Sequence, residues 1–354
     1  MLVDVLRWSG SKVVFLVAVG FCVVCIGEIF FRLPVVRQRL EYEPDPVLHG
    51  QFVPSQRGYM WLANQSLMSP EISINGEGLR GREPVCDQRV IIALGSSQAF
   101  GSGVRDDEVW TSILESRLVA KGHDYQVVNA AHPGYGAWHN SVVLRRFFRR
   151  RTADVVIYRV SIGDRQFRMR SPERQAEDYR AALRRKDIRQ VTRFLPYLYA
   201  KMSAQFSAIK KTIADLQLRE SKGVEQKRNQ QIGEGMAQRD RLFWKEMIEL
   251  TLEEDARIVF LLHNPYGDEA THALKRHLLE LCSLFPSAHL FETGPALFGL
   301  DHVPRNQQRS RFRTQFTLVR DPHANAAQHR VIGNAVAGFL DANLLLRPAT
   351  ASQK

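Results

Sequence analysis

"ALGSSQAFGSGV", residues 93–104, closes an apolar run that begins at Arg89 and turns into a glycine-punctuated loop. Valine and isoleucine favour extended backbone, and Gly95 permits the sharp reversal that brings a side chain off the end of a strand. Two hydroxyls stand at that reversal. Ser97 reads either as a nucleophile exposed on a strand-to-helix turn or as the cap of the helix that follows.

The same texture recurs downstream. "RVIIALG" (89–95), "YQVVNAA" (125–131), "ADVVIYRVS" (153–161), "ARIVFLL" (256–262) and "AHLFET" (288–293) are short apolar runs. Longer patterns of helical period separate them, over 108–120, 138–148 and 325–346. Strands that are apolar on both faces and spaced by helices predict a parallel sheet buried between helical layers, an α/β fold. Between the third and fourth runs, about 165–255, lies far more chain than one crossover needs. This is an insertion. Its middle, 219–241, is almost wholly polar, while the flanks "FLPYLYAKM" and "LFWKEMIEL" can pack. A lid and a helical decoration are both open readings.

At 44% hydrophobic and 24% charged over 354 residues, the composition is that of a globular protein and excludes disorder as the default. The N-terminus is the exception. Residues 13–31, "VVFLVAVGFCVVCIGEIFF", are apolar apart from Glu28 and come close to the ~20 residues that span a bilayer. They predict one transmembrane anchor after a flank at 1–12. A cleaved signal is disfavoured because no small-x-small site follows. Arg7 and Lys12 before the span, and Arg32, Arg37 and Arg39 after it, leave its orientation open. Residues 32–88 read as a linker and lead-in, 89–346 as the α/β domain and 347–354 as a tail.

Cys22 and Cys25 fall within the apolar span, so Cys86 and Cys282 are either a disulfide or two unpaired thiols. The net charge of +12 gathers in runs such as "RRFFRRR" (145–151) and "RAALRRKD" (180–187). Beside a membrane anchor such faces suit anionic headgroups or acidic glycans better than nucleic acid; ordinary solvated helix faces are the alternative.

Chemistry is expected at the carboxyl ends of parallel strands. "NAAHPGYG" (129–136) follows the second run, and its Gly134 can bring a bare N–H close to a substrate oxygen. "DPHANAAQH" (321–329) precedes the last helix. A serine nucleophile needs a base to take its proton, and the base needs an acceptor that fixes its tautomer; His323 and Asp321 can supply both. His329, inside the helix, reads as structural.

G-x-S-x-x-x-G at 95–101, N-A-x-x-x-G at 129–134 and D-x-H-x-N-x-x-x-H at 321–329 resemble, in order and spacing, the SGNH/GDSL hydrolases. "INGEGLRG" (74–81) is similar to the lead-in of their membrane-anchored bacterial members. The resemblance implies a flavodoxin-like three-layer α/β/α fold with a five-stranded parallel sheet, Ser97 as nucleophile, His323 as base and Asp321 as its orienter. It implies neither cofactor nor metal. Such proteins are esterases, lipases, carbohydrate O-acetyl esterases or O-acyltransferases of exported glycans. An acylated cell-envelope glycan or lipid is therefore the expected substrate, with envelope-assembly proteins as candidate partners and the domain outside the cytoplasm.

Two positions depart from the family pattern. Ser96 stands where Asp is usual, and "SIGD" (161–164) puts Gly163 where an oxyanion-donating Asn is expected. The expected oxyanion hole is then the backbone of Ser97 and Gly134 around Gly163, with Asn129 and His132 as candidate substrate contacts. The loss of such a donor typically costs ~100- to 1000-fold in rate, so a pocket that binds without turning over is the competing expectation.

Overall fold

The structure is a computed structural model that describes residues 17, 19–23, 26, 39–48, 50–60, 62, 68–85, 88–160, 240–263, 269–298, 312, 314–318 and 323–347. The described residues from 39 onward group as one compact unit, and those before 39 belong to a second. In the second, residues 17, 19–23 and 26 are helical, with Val17, Phe21, Val23 and Ile26 exposed. Among the described residues no helix is long and apolar enough to cross a membrane, and most of the anchor expected over 13–31 lies outside them.

The larger unit is built on a five-stranded parallel sheet. A lead-in of short strands comes first: β1 (Tyr42–Glu43), β2 (Gln51–Phe52), β3 (Gln56–Gly58) and β4 (Ile72–Ile74). The sheet strands are β5 (Arg89–Gly95), β6 (Tyr125–Asn129), β7 (Val155–Val160), β8 (Arg257–Leu262) and β9 (Ala288–Glu292). Their spatial order is β6-β5-β7-β8-β9, so each of the apolar runs read from the sequence is a strand. The order reverses at β5, and the crevice outside the strand ends at that point is where a doubly wound sheet binds ligands.

The helices in chain order are α1 (Ser97–Phe100), α2 (Trp110–Ala120), α3 (Ala137–Phe148), α4 (240–253), α5 (Glu269–Leu284), α6 (Thr293–Phe298) and α7 (Ala326–Ala342). Side chains alternate across each strand, so the sheet feeds two cores. Val90, Ile92, Leu94, Val156, Tyr158, Ile258 and Phe260 pack with α3, α4 and α5. Ile91, Ala93, Val155, Ile157, Val259 and Leu261 pack with α2, α6 and α7. This is the three-layer arrangement expected. The helix expected from residue 108 begins later, because Val109 is extended (φ −68°, ψ 142°) between a 3-10 turn and α2. The C-terminal helix starts after Asn325, whose side chain caps it by accepting from Gln328 N at 3.1 Å.

The lead-in is no free tether. Leu40, Phe52, Ile72 and Ile74 form a third core with Ala99, Phe100 and Ala131, against the first turn after β5. Three members of the basic run at 145–151 are ion-paired across elements, Arg145 with Glu246, Arg146 with Asp45 and Arg151 with Glu77. At least that part of the positive charge serves internal pairing. The run at 180–187 lies outside the described residues. Cys282 is a free thiol that burial pushes up to about 11, and Cys86 is not described.

At the far end of the insertion, α4 packs Trp244, Met247 and Ile248 against the sheet, each at most 1% exposed. The rest of the insertion, 165–239, lies outside the described residues. Trp244→Ala should lower the unfolding free energy by about 3–5 kcal/mol in urea titrations. A loss under ~1 kcal/mol would mean that the helix covers the sheet without contributing to its stability.

Candidate active site

Gly95 ends β5 with φ +145°, and a Cβ there would lie 2.6 Å from Ala99 Cβ and 3.1 Å from Arg159 O. Only glycine fits, and this lets the chain reverse directly into α1. Ser96 is the N-cap residue of α1, yet its side chain makes no capping hydrogen bond. Ser97 is the first helical residue, half-buried, so its hydroxyl is not a cap either. Of the two readings of Ser97, the cap is removed by geometry.

Four residues cannot hold a helix by their own ladder, and the last carbonyls of α1 are satisfied from outside. Arg80, 4% exposed, donates to Phe100 O at 2.7 Å, to Gly101 O and to Val104 O at 2.7 Å, and pairs through Nε with Asp106 at 3.0 Å. Trp110 Nε1 donates to Ala99 O at 2.9 Å. Asn129 Nδ2 lies 3.4 Å from both Ala99 O and Phe100 O. Asn129 is 3% exposed, with its amide engaged in this way by α1. The Arg80 of the "NGEGLRG" lead-in thus acts as a brace for the serine turn.

Both backbone groups of Gly95 are bonded to the segment after β6, one to its loop and one to α3. His132 N donates to Gly95 O at 3.1 Å, and Gly95 N donates to Asn140 Oδ1 at 2.8 Å. Asn140 Nδ2 in turn donates to Gly136 O at 2.8 Å, so one buried amide ties the serine turn to the start of α3. Pro133 and Gly134 form the corner of a turn closed by Tyr135 N donating to His132 O at 3.1 Å. Gly134 has φ +88° and is exposed. His132, 8% exposed, packs between Phe52 and Tyr135 with ring centroids 4.6 and 4.1 Å away. Its Nδ1 donates to Pro133 O at 2.9 Å, and Nε2 is buried with no hydrogen-bond partner. Burial pulls its pKa down to about 4.

His323 lies on the loop before α7, half-buried. Its carbonyl accepts from Leu318 N at 2.9 Å, and the next residue bridges to Thr317. On its other side that loop touches the serine turn, because Ala324 N donates to Gln98 Oε1 at 3.1 Å. Gln98 O accepts from Arg159 Nη1 at 2.6 Å, inside the sheet. The residue after Ser97 and the residue after His323 are therefore hydrogen-bonded to each other. No direct hydrogen bond joins the two side chains among those described, and such bonds commonly tighten only with substrate in place. Asp321 and Gly163 lie outside the described residues.

His329 is wholly buried; its Nδ1 accepts from Trp110 N at 3.3 Å, and Nε2 has no hydrogen-bond partner. His263 donates from Nδ1 to Thr293 Oγ1 at 3.0 Å and accepts at Nε2 from Gln328 at 3.2 Å. Desolvation, with the Arg159 charge nearby, holds both imidazoles well below their usual range. Both are neutral imidazoles, one within α7 and the other bonded to it through Gln328. Sequence reading missed Gln98, Asn140, Arg159 and His263; a polar residue inside a strand pattern, Arg159, was the one available signal. Among the described residues no group of three His, Cys, Asp or Glu is arranged to hold a metal ion.

No family model and no curated protein matches the chain. Among solved structures it is similar to TesA, at 14% identity over 73% of this chain and 100% of that one, with TM-score 0.44. It is also similar to the psychrotrophic esterase EstA from Pseudoalteromonas sp., at 11% identity, 72% and 98% coverage and TM-score 0.43. A lipase/acylhydrolase from Enterococcus faecalis matches at 13% identity, 74% and 100% coverage and TM-score 0.43.

Two outcomes follow. Ser96→Ala should change stability by less than ~0.5 kcal/mol, since no cap bond is lost; a drop of ~1 kcal/mol or more in urea would restore the capping role. His132, His263 and His329 all have folded pKa values below the ordinary 6.5. The unfolded chain then binds protons that the folded one does not, so their contribution is intact above 6.5 and lost as pH falls toward 4. Urea midpoints measured from pH 7 to 4.5 should fall steadily through that window; a flat profile would refute neutral burial.

Proposed function

We propose that the chain is a serine esterase or O-acyltransferase of the SGNH/GDSL kind. The observation that carries this reading is the turn at Gly95, which sets Ser97 on an uncapped first helical position and bonds, through Gln98, to the loop that bears His323. Ser97 Oγ attacks the carbonyl carbon of an ester while its proton passes to His323. The tetrahedral oxyanion is met by the backbone N–H groups of Ser97 and Gly134. As the intermediate collapses, the carbon–oxygen bond to the leaving alcohol breaks and His323 returns the proton to that alcohol. Water or a sugar hydroxyl then attacks the acyl-Ser97, giving its proton to His323, and the reverse collapse frees Ser97. Asp321 orients the imidazole.

The substrate proposed is an acylated glycan or lipid of the cell envelope, with residues 13–31 anchoring the domain on the extracytoplasmic face. The apolar segment and the sequence resemblance support this finer reading. A second reading, a binding module without turnover, is favoured by Gly163, which has no side chain to donate to the oxyanion.

Full-length protein should react with a fluorophosphonate at Ser97 and hydrolyse a short-chain nitrophenyl ester. Ser97→Ala and His323→Ala should each reduce hydrolysis by ~1000-fold or more, acting as a unit. A folded protein that resists labelling selects the binding module; labelling that survives Ser97→Ala shows that another residue is the nucleophile.

A further inference from the structure

The side chain next to the serine bears on how the two halves of the site keep their spacing. Ser97 and His323 belong to segments more than two hundred positions apart in sequence, on different elements and with different supports. The hydrogen bond from Ala324 N to Gln98 Oε1 runs from the residue after one to the residue after the other, at 3.1 Å. Each end is a single residue from the side chain that matters. A slip of the loop relative to α1 would therefore pass almost unchanged into the Oγ-to-imidazole separation.

Both ends of this contact are themselves fixed. Ala324 is 2% exposed and forms an antiparallel bridge to Thr317, and Asn325 N donates to Phe316 O at 3.1 Å. Gln98 is fixed through its carbonyl, which accepts from Arg159 Nη1 at 2.6 Å. Arg159 is 1% exposed in β7. The arrangement runs from a central strand through one glutamine to the loop of the base.

Resting on the catalytic reading given above, we infer that Gln98 is a positioning residue whose amide oxygen sets the distance between Ser97 and His323. The oxygen is what the bond to Ala324 uses. Glutamate keeps an acceptor at the same reach, asparagine shortens it by a methylene, and leucine abolishes it. A residue with a merely structural role would not sort these substitutions by acceptor.

The test measures kcat and KM for a nitrophenyl ester, the fluorophosphonate labelling rate and the melting temperature, in full-length wild type and in Gln98→Leu, Gln98→Asn and Gln98→Glu. Hydrogen exchange of peptides covering 317–328 is followed in parallel. A misplacement of ~1 Å at a reacting pair costs about 100-fold. Gln98→Leu and Gln98→Asn should therefore lower kcat by roughly that factor with KM within ~2-fold. Exchange at 323–325 should be faster in both, and Gln98→Glu should recover most of kcat. Asparagine is the safeguard should leucine fail to fold. If a folded Gln98→Asn or Gln98→Leu labels and turns over like wild type, or if Gln98→Glu is as slow as they are, the positioning role is wrong while the esterase reading stands. A wild type that labels no faster than Ser97→Ala overturns the catalytic reading itself, and the inference falls with it.

Discussion

The site depends on the absence of one atom. A Cβ on Gly95 would press into Ala99 and the backbone of β7, so the reversal from β5 to α1 exists only with glycine there. Through that residue's own N–H and C=O the reversal is bonded to Asn140 and His132, which fixes the loop after β6 against the serine turn. Remove the reversal and Ser97 is no longer presented where the strand order of the sheet opens a crevice.

Most of the architecture was legible because a parallel sheet buried on both faces writes itself as β-branched runs, as at Ile91–Ile92 and Val155–Val156. The serine turn was legible because glycine and hydroxyl residues follow such a run. Legibility failed where a polar group's partner lies far away in sequence. Asn129, standing at a strand end, reads as a ligand contact, but its amide is taken up by carbonyls of α1. The role of Asn140 depends on two backbone groups, at Gly95 and Gly136, that no local pattern reveals. Arg159 breaks an apolar run without announcing that Gln98 is its partner. The basic run at 145–151 looks like a surface for anionic partners, yet Arg145, Arg146 and Arg151 meet carboxylates from other elements.

Charge is controlled around His323 as well. His263 and His329 are kept uncharged by burial beside Arg159, so they bring no positive charge of their own to the neighbourhood of His323. Each ring keeps at least one nitrogen bonded, and the tautomers follow from those bonds: Nδ1 of His329 accepts from Trp110 N, whereas Nδ1 of His263 donates to Thr293.

The four residues of α1 form too short a helix to nucleate alone. Its carbonyls are held by Arg80 from the lead-in, Trp110 from α2 and Asn129 from β6, and so by chain that arrives from both directions. A nascent or partly unfolded chain in which any of these has not docked has no preformed serine turn. On the proposed chemistry, reactivity at Ser97 would then report that folding is complete, and stray acylation of immature protein would be suppressed without any dedicated inhibitor.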